Sequence, residues 1–217
     1  MNLRDRLGLS SAHQRYLAWL MELSLVGMFF IGLERGATGV LVNTGVALVV
    51  TQLPPLLKRE YGITMDAGLI LWITAAVFLH ALGTVGLPGS PLNLYRTVWW
   101  WDHLTHGLSA SVVAAVGYAA ARAVDLHTED VHLPPRFMFV FILLFVLAFG
   151  VFWEVIEFAL GSIGPALGFG SVLTQYGLED TMLDLVFNTI GAIVVAIWGT
   201  SHLNDLVDSI AAHFETR

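Results

Sequence analysis

An acid and two histidines stand together at the head of an apolar segment, where Asp102, His103 and His106 follow the aromatic run Trp99-Trp100-Trp101. Two later stretches answer them. Glu154 and Glu157 lie inside a hydrophobic run, and Asp180 and Asp184 open the last one. His103/His106 and Glu154/Glu157 are three residues apart, and Asp102/His106 and Asp180/Asp184 are four apart, so each pair shares one face of a helix. Asn188 and Gly191 continue the Asp184 face; the amide can fix a carboxylate, and the glycine lets another backbone come close. Imidazoles and carboxylates from facing helices are how bundles build metal centres, and this donor set suits a divalent metal such as zinc, manganese or iron. A cation would also offset the repulsion among the clustered acids. The expected ligands or acid–base groups are His106, Asp102, Glu154, Glu157 and Asp184, with Asp180 a further catalytic candidate and His80 and Asn188 orienting. Two other readings of the same residues stay open. One is a hydrogen-bonded network that only fixes helix packing, the other a route for protons, ions or small solutes.

Membrane helices have to carry these groups. The chain has 217 residues, of which 56% are hydrophobic and 12% charged, the latter about half the usual ~25%. Several apolar runs reach the ~18 residues that cross a bilayer. The expectation is an all-α, polytopic membrane protein, a six-helix bundle with spans near residues 16–33, 37–57, 66–85, 101–122, 137–160 and 180–198. Residues 1–15 form a polar leading segment, 16–199 the membrane domain, and 200–217 an amphipathic tail that sets Leu203, Leu206, Val207, Ile210 and Ala211 on one face. The first apolar run is expected to stay in place as a helix, since no small-residue cleavage site follows it. Without cysteine, disulfides and thiolate metal sites are excluded. A net charge of −7 argues against nucleic acid as a partner.

Orientation follows from the basic residues. With both termini cytoplasmic, Arg4, Arg6, Arg15, Lys58, Arg59, Arg122, Arg136 and Arg217 lie inside, and only Arg35 and Arg96 outside. The acids and histidines of the three stretches, together with His80, then fall at one depth, in the outer leaflet. A site at that level of the cell membrane faces the extracytoplasmic side and meets lipid or lipid-linked headgroups by lateral diffusion. The expected function is accordingly a membrane enzyme, a hydrolase or transferase on such a headgroup. A transporter would need polar residues continuing inward, and residues 112–116, 139–149 and 193–197 are nearly pure apolar. The tryptophans at 99–101 and Trp153 read as an interfacial belt. Residues 161–177 read as a glycine-rich connector in which Thr174 and Gln175 can hydrogen-bond a headgroup. His127, His132, His202 and His213 read as surface residues, and Glu22 as buried by depth and paired.

The pattern also resembles a known family. His80 with Gly83, Asp102-x-x-x-His106, Glu154-x-x-Glu157, Thr174-Gln175-x-Gly177 and Asp180-x-x-x-Asp184 together look like the YjdF-like inner-membrane proteins. Asp184-x-x-x-Asn188-x-x-Gly191 also resembles the broader VanZ-like group, which is linked to glycopeptide resistance and the cell envelope. The likeness covers about residues 65–198 and implies the fold and the location of the site, not a reaction. Where this chain has His103 that family usually carries Arg or Lys, which points to His106 rather than His103 as a metal ligand. Gly177 replaces an Asp of the family's loop motif, and Tyr176 its Gly.

Overall fold

A computed structural model describes residues 10–86, 92–128, 131–166, 168, 172–173, 176–198 and 203–215. Helix α1, Ser11–Arg35, starts where the Ser10 hydroxyl accepts from the His13 N–H, and Gly36 ends it in the left-handed conformation (φ 60°). Helices α2, Thr38–Thr51, and α3, Leu53–Tyr61, form one interrupted span. The break falls at Gln52 because Pro54 and Pro55 supply no backbone donor and crowd the preceding turn. Helix α4, Ala67–Thr84, is capped by the Asp66 carboxylate, 2.7 Å from the Leu69 nitrogen. A single turn, α5 (Leu94–Thr97), leads into α6, Trp101–His127. Then come α7, Pro135–Ala166, α8, Leu178–Trp198, and the tail helix α9, Asn204–Glu215.

The chain is all-helical, and six helices are long and apolar enough to cross a membrane, as the sequence leads one to expect. Four spans outrun the expected ends; the first starts at Ser11, inside the expected polar leading segment, and the second ends at Tyr61. Helix α6 continues to His127, its end tied by an Arg122–Asp125 ion pair and by Asp125 accepting from the Leu133 N–H at 2.7 Å. Helix α7 runs on through Gly161 and Gly164 to Ala166, taking the first part of the expected connector into the helix.

Helix α6 is the hub. It packs against α4, α7, α8 and α9, while α1 packs on α2 and α4. Its buried face is small: Ala110, Ala114, Ala115, Ala119 and Ala123 are nearly inaccessible. Lipid is as apolar as leucine, so helices associate in a bilayer through close contact and not through hydrophobic burial. The tightest contact is between α6 and α8, where a Cβ on Gly191 would overlap the carbonyl oxygen of Gly107. Large side chains such as Phe30, Val49, Leu144 and Phe158 are exposed on the outside of the bundle, as a lipid-facing surface requires.

The tail helix has the expected apolar face, but that face is covered. Leu203, Leu206 and Val207 join a core with Ala114, Tyr118, Ile142 and Val195. Ser209 Oγ accepts from the Thr64 N–H at 2.8 Å, and His213 lies edge-on to Tyr61, so His213 is not the plain surface residue expected. His127 and His132 are exposed; His202 lies outside the described residues. Glu22, expected to be buried and paired, is half-buried on α1 and makes no ion pair among the described residues.

Candidate functional site

Three helices bring their acids and imidazoles to one end of the bundle. Helix α6 carries Asp102, His103 and His106 in its first two turns, α7 carries Glu154 and Glu157, and α8 carries Asp184 and Asn188. His106 Nε2 lies 3.5 Å from Asp102 Oδ1 and 3.8 Å from Asp184 Oδ2. His103 Nδ1 is 3.3 Å from the other Asp184 oxygen, and its ring stacks on Phe187 with centroids 4.8 Å apart. Thr181 donates to Glu154 Oε2 at 2.9 Å. Two sets of donor atoms, Asp102/His106/Asp184 and His106/Glu154/Glu157, each lie within 4.8 Å of one another and share His106.

These groups are withdrawn from solvent and lipid alike: Asp184 is 1% exposed, Glu154 4%, and His106 and Glu157 7%. A carboxylate so deeply placed is costly unless its oxygens are matched. Asp184 Oδ2 is buried and accepts no hydrogen bond among the described residues. One imidazole nitrogen with two carboxylate oxygens is a normal donor set for a divalent cation, and the unmatched oxygen is what such an ion would satisfy. The residues therefore fit a metal. His103 reaches the cluster through Asp184 and belongs to neither donor set. Asp180, expected among the catalytic groups, sits a turn away with its Oδ2 accepting from the Tyr176 N–H at 3.0 Å, and likewise belongs to neither set. Thr174 and Gln175 lie outside the described residues.

His80 is held by partners that sequence reasoning missed. Asn43, from α2, donates through Nδ2 to the carbonyls of Gly39 (2.8 Å) and Val172 (2.9 Å). Its Oδ1 is thereby turned toward His80 Nε2, 3.1 Å away, so Nε2 bears the proton. Nδ1 then accepts from the Tyr95 hydroxyl at 2.8 Å. Burial pushes the Tyr95 phenol well above the usual tyrosine range, which keeps it a donor. With both nitrogens engaged, His80 is placed to orient neighbours and not to ligate. An asparagine inside an apolar run was the available signal for Asn43. Tyr95 had none, since it comes from a short turn between spans.

Aromatic rings close the site from within. Trp101 and Trp153, expected in the interfacial belt, turn inward; Trp101 is 9% exposed and Trp153 lies edge-on to His80, whereas Trp99 is 81% exposed. Gly83 makes the space, for a Cβ there would overlap the Tyr95 ring and the Trp101 indole nitrogen.

Two cavities adjoin the cluster. A polar one of about 290 Å³ is lined by Asp102, Glu157, His80, Tyr95, Asn93 and Tyr176. An apolar one of about 470 Å³ lies deeper among the spans, with His106 and Asn188 in its wall. His80, Val172 and Leu173 line both.

Among known proteins, the chain is similar to an uncharacterized protein of Thermotoga maritima, 32% identical over 126 residues, which cover 58% of this chain and 58% of that protein. No solved structure matches it. A family model described as "Predicted membrane protein (DUF2238)" matches residues 16–205, nearly the whole length, and the chain belongs to that family.

Proposed function

We propose that this protein is a cell-membrane enzyme, a hydrolase or transferase acting on a lipid or lipid-linked headgroup from the extracytoplasmic side. The observation that carries the reading is Asp184, a carboxylate removed from solvent with one oxygen unmatched, beside an imidazole and three further acids. His106 with Glu154 and Glu157, or with Asp102 and Asp184, would hold a zinc, manganese or iron ion. Such an ion polarises a carbonyl or phosphoryl oxygen and makes bound water a better nucleophile. With Glu154 and Glu157 holding the ion beside His106, Asp102 would be the acid left to exchange a proton with the substrate, since it borders both His106 and the polar cavity. It takes the proton from the attacking hydroxyl or water and returns it to the leaving oxygen. His80, fixed by Tyr95 and Asn43, keeps the cavity wall in one arrangement. Arg96, over the Tyr176 ring at 5.8 Å, adds positive charge near the cavity mouth, which favours an anionic headgroup. The likeness to the YjdF-like and VanZ-like groups supports an envelope setting.

A transporter fits the fold less well. Beneath the cluster the described core is mostly apolar: Ala114, Ile142, Val146, Ala192 and Val195 are interrupted only by hydroxyls such as Thr74, Ser111 and Tyr118, with no buried acid or histidine among them to carry an ion onward. The test is elemental analysis of the purified protein before and after chelator, beside turnover of envelope lipids followed by mass spectrometry. We expect a chelatable divalent metal in the wild type, and loss of both metal and turnover in Asp184→Asn and Glu154→Gln while the helical signal is kept. Full turnover in both variants would refute the assignment.

A further inference from the structure

The apolar cavity has a shape and position that the cluster's chemistry leaves unexplained. Helix α2 forms one side with Val46 and Val50, α7 the other with Val146 and Phe149, and α4 and α6 form the floor with Ala76 and Val113. Helix α2 packs on α1 and α4, and α7 on α6 and α8, so among the described residues α2 and α7 flank the cavity with no extensive packing between them. Val46 is 56% exposed and Phe149 45%, which marks this side as open toward the surrounding bilayer. At the far end the cavity stops against the buried core that contains Ala114 and Ile142.

From this geometry we infer that the cavity takes one hydrocarbon chain of the substrate lipid, entering sideways between α2 and α7, while its headgroup occupies the polar cavity beside Asp102 and Glu157. The inference rests on the reading of the cluster as a headgroup site and adds where the rest of the molecule lies. Water finds partners only at the end lined by His80, His106 and Asn188; the valine-lined remainder gives it none, and apolar space of that kind stays dry. The volume of about 470 Å³ falls inside the ordinary ligand-pocket range of ~300–1,000 Å³. From Val42 to Val50 the α2 wall runs over nine residues, eight steps of ~1.5 Å or ~12 Å. That is close to one leaflet of a ~30 Å hydrocarbon core, the depth a single chain occupies. The two cavities meet at His80, Val172 and Leu173, so one amphiphile can span them with its polar end at the acids and its apolar end among the valines. Asn43 ties Val172 over the junction.

An acyl chain and an isoprenoid chain share this chemistry, and two photoprobes separate them. One is a phosphatidylglycerol with a diazirine midway along an acyl chain; the other is a polyprenyl phosphate labelled likewise, each in nanodiscs with the full-length protein. We expect at least one to label Val113, Val46 or Phe149, and the arm that does so identifies the chain. Filling the cavity with Val46→Trp, or with Val113→Trp as an independent second variant, should cut labelling of the cavity several-fold. Val155→Trp, on the outward face, should leave it unchanged. Labelling confined to outward residues such as Val155 and Phe158 in both arms, or cavity labelling indifferent to both filling variants, overturns the inference. The two proposals fail separately. Cavity labelling in a protein that binds no metal and turns over no lipid removes the enzyme reading and keeps this one. Metal binding with outward labelling alone does the reverse.

Discussion

The Tyr95–His80–Asn43 chain shows how a neutral imidazole can be built into apolar surroundings. Each hydrogen bond dictates the next, beginning with two carbonyls that turn the Asn43 amide and ending with the Tyr95 phenol as donor. Tyr95→Phe should leave His80 Nδ1 buried without a donor, at a cost of about 1–3 kcal/mol. Asn43→Leu should leave the His80 Nε2–H buried without an acceptor, at a similar cost. Because both act through one ring, their combination should depart from additivity by about 0.5–3 kcal/mol, read from thermal unfolding in detergent. Strict additivity would mean that the chain is not a unit. His80 was legible as a polar residue at the level of the cluster, with an orienting role. Its partners were not, because hydrogen bonds between residues 37 and 15 positions apart leave no periodic trace.

Between elements, the decisive feature is the contact of α6 with α8. It brings Asp184 to His103 and His106, and it depends on Gly191 lying against the Gly107 carbonyl. Gly191→Leu should cost about 1–3 kcal/mol or more through overpacking, and should lower metal content even though no ligand is changed. Gly27→Ala is the matched control, since a Cβ there meets nothing within 4 Å. Equal effects of the two substitutions on unfolding and metal content would dismiss the close contact as unimportant. The sequence marked Gly191 as a point of approach through its place on the Asp184 face. It carried no sign of which backbone would approach, since any span can offer a carbonyl.

For the whole molecule, the open question of sidedness has a direct test, because the chain has no cysteine of its own. Trp99→Cys, at an 81% exposed position near the cluster, should react with a membrane-impermeant maleimide in intact cells. His132→Cys, exposed at the opposite end, should react only after permeabilisation. The opposite pattern would put the cluster on the cytoplasmic side and remove the outer-leaflet substrate from consideration. The basic residues that motivate this orientation include Arg122, whose charge is partly spent on Asp125. Arg59 likewise pairs with Glu60, but the rule counts basic residues and not net charge, so Lys58, Arg59 and Arg122 together still favour it.

Composition and run length dictated the membrane class and the six spans, because a bilayer admits few ways to satisfy a backbone and all of them are written locally in hydropathy. Spacing of three and four put the acids and histidines on helix faces for the same local reason. Folding in three dimensions chose which faces meet. It set Asp180 apart from Asp184, drew Trp101 and Trp153 inward, covered the tail's apolar side, and left an apolar cavity of about 470 Å³ flanked by α2 and α7. Those outcomes turn on contacts between helices distant in sequence, where van der Waals fit decides and hydropathy is silent.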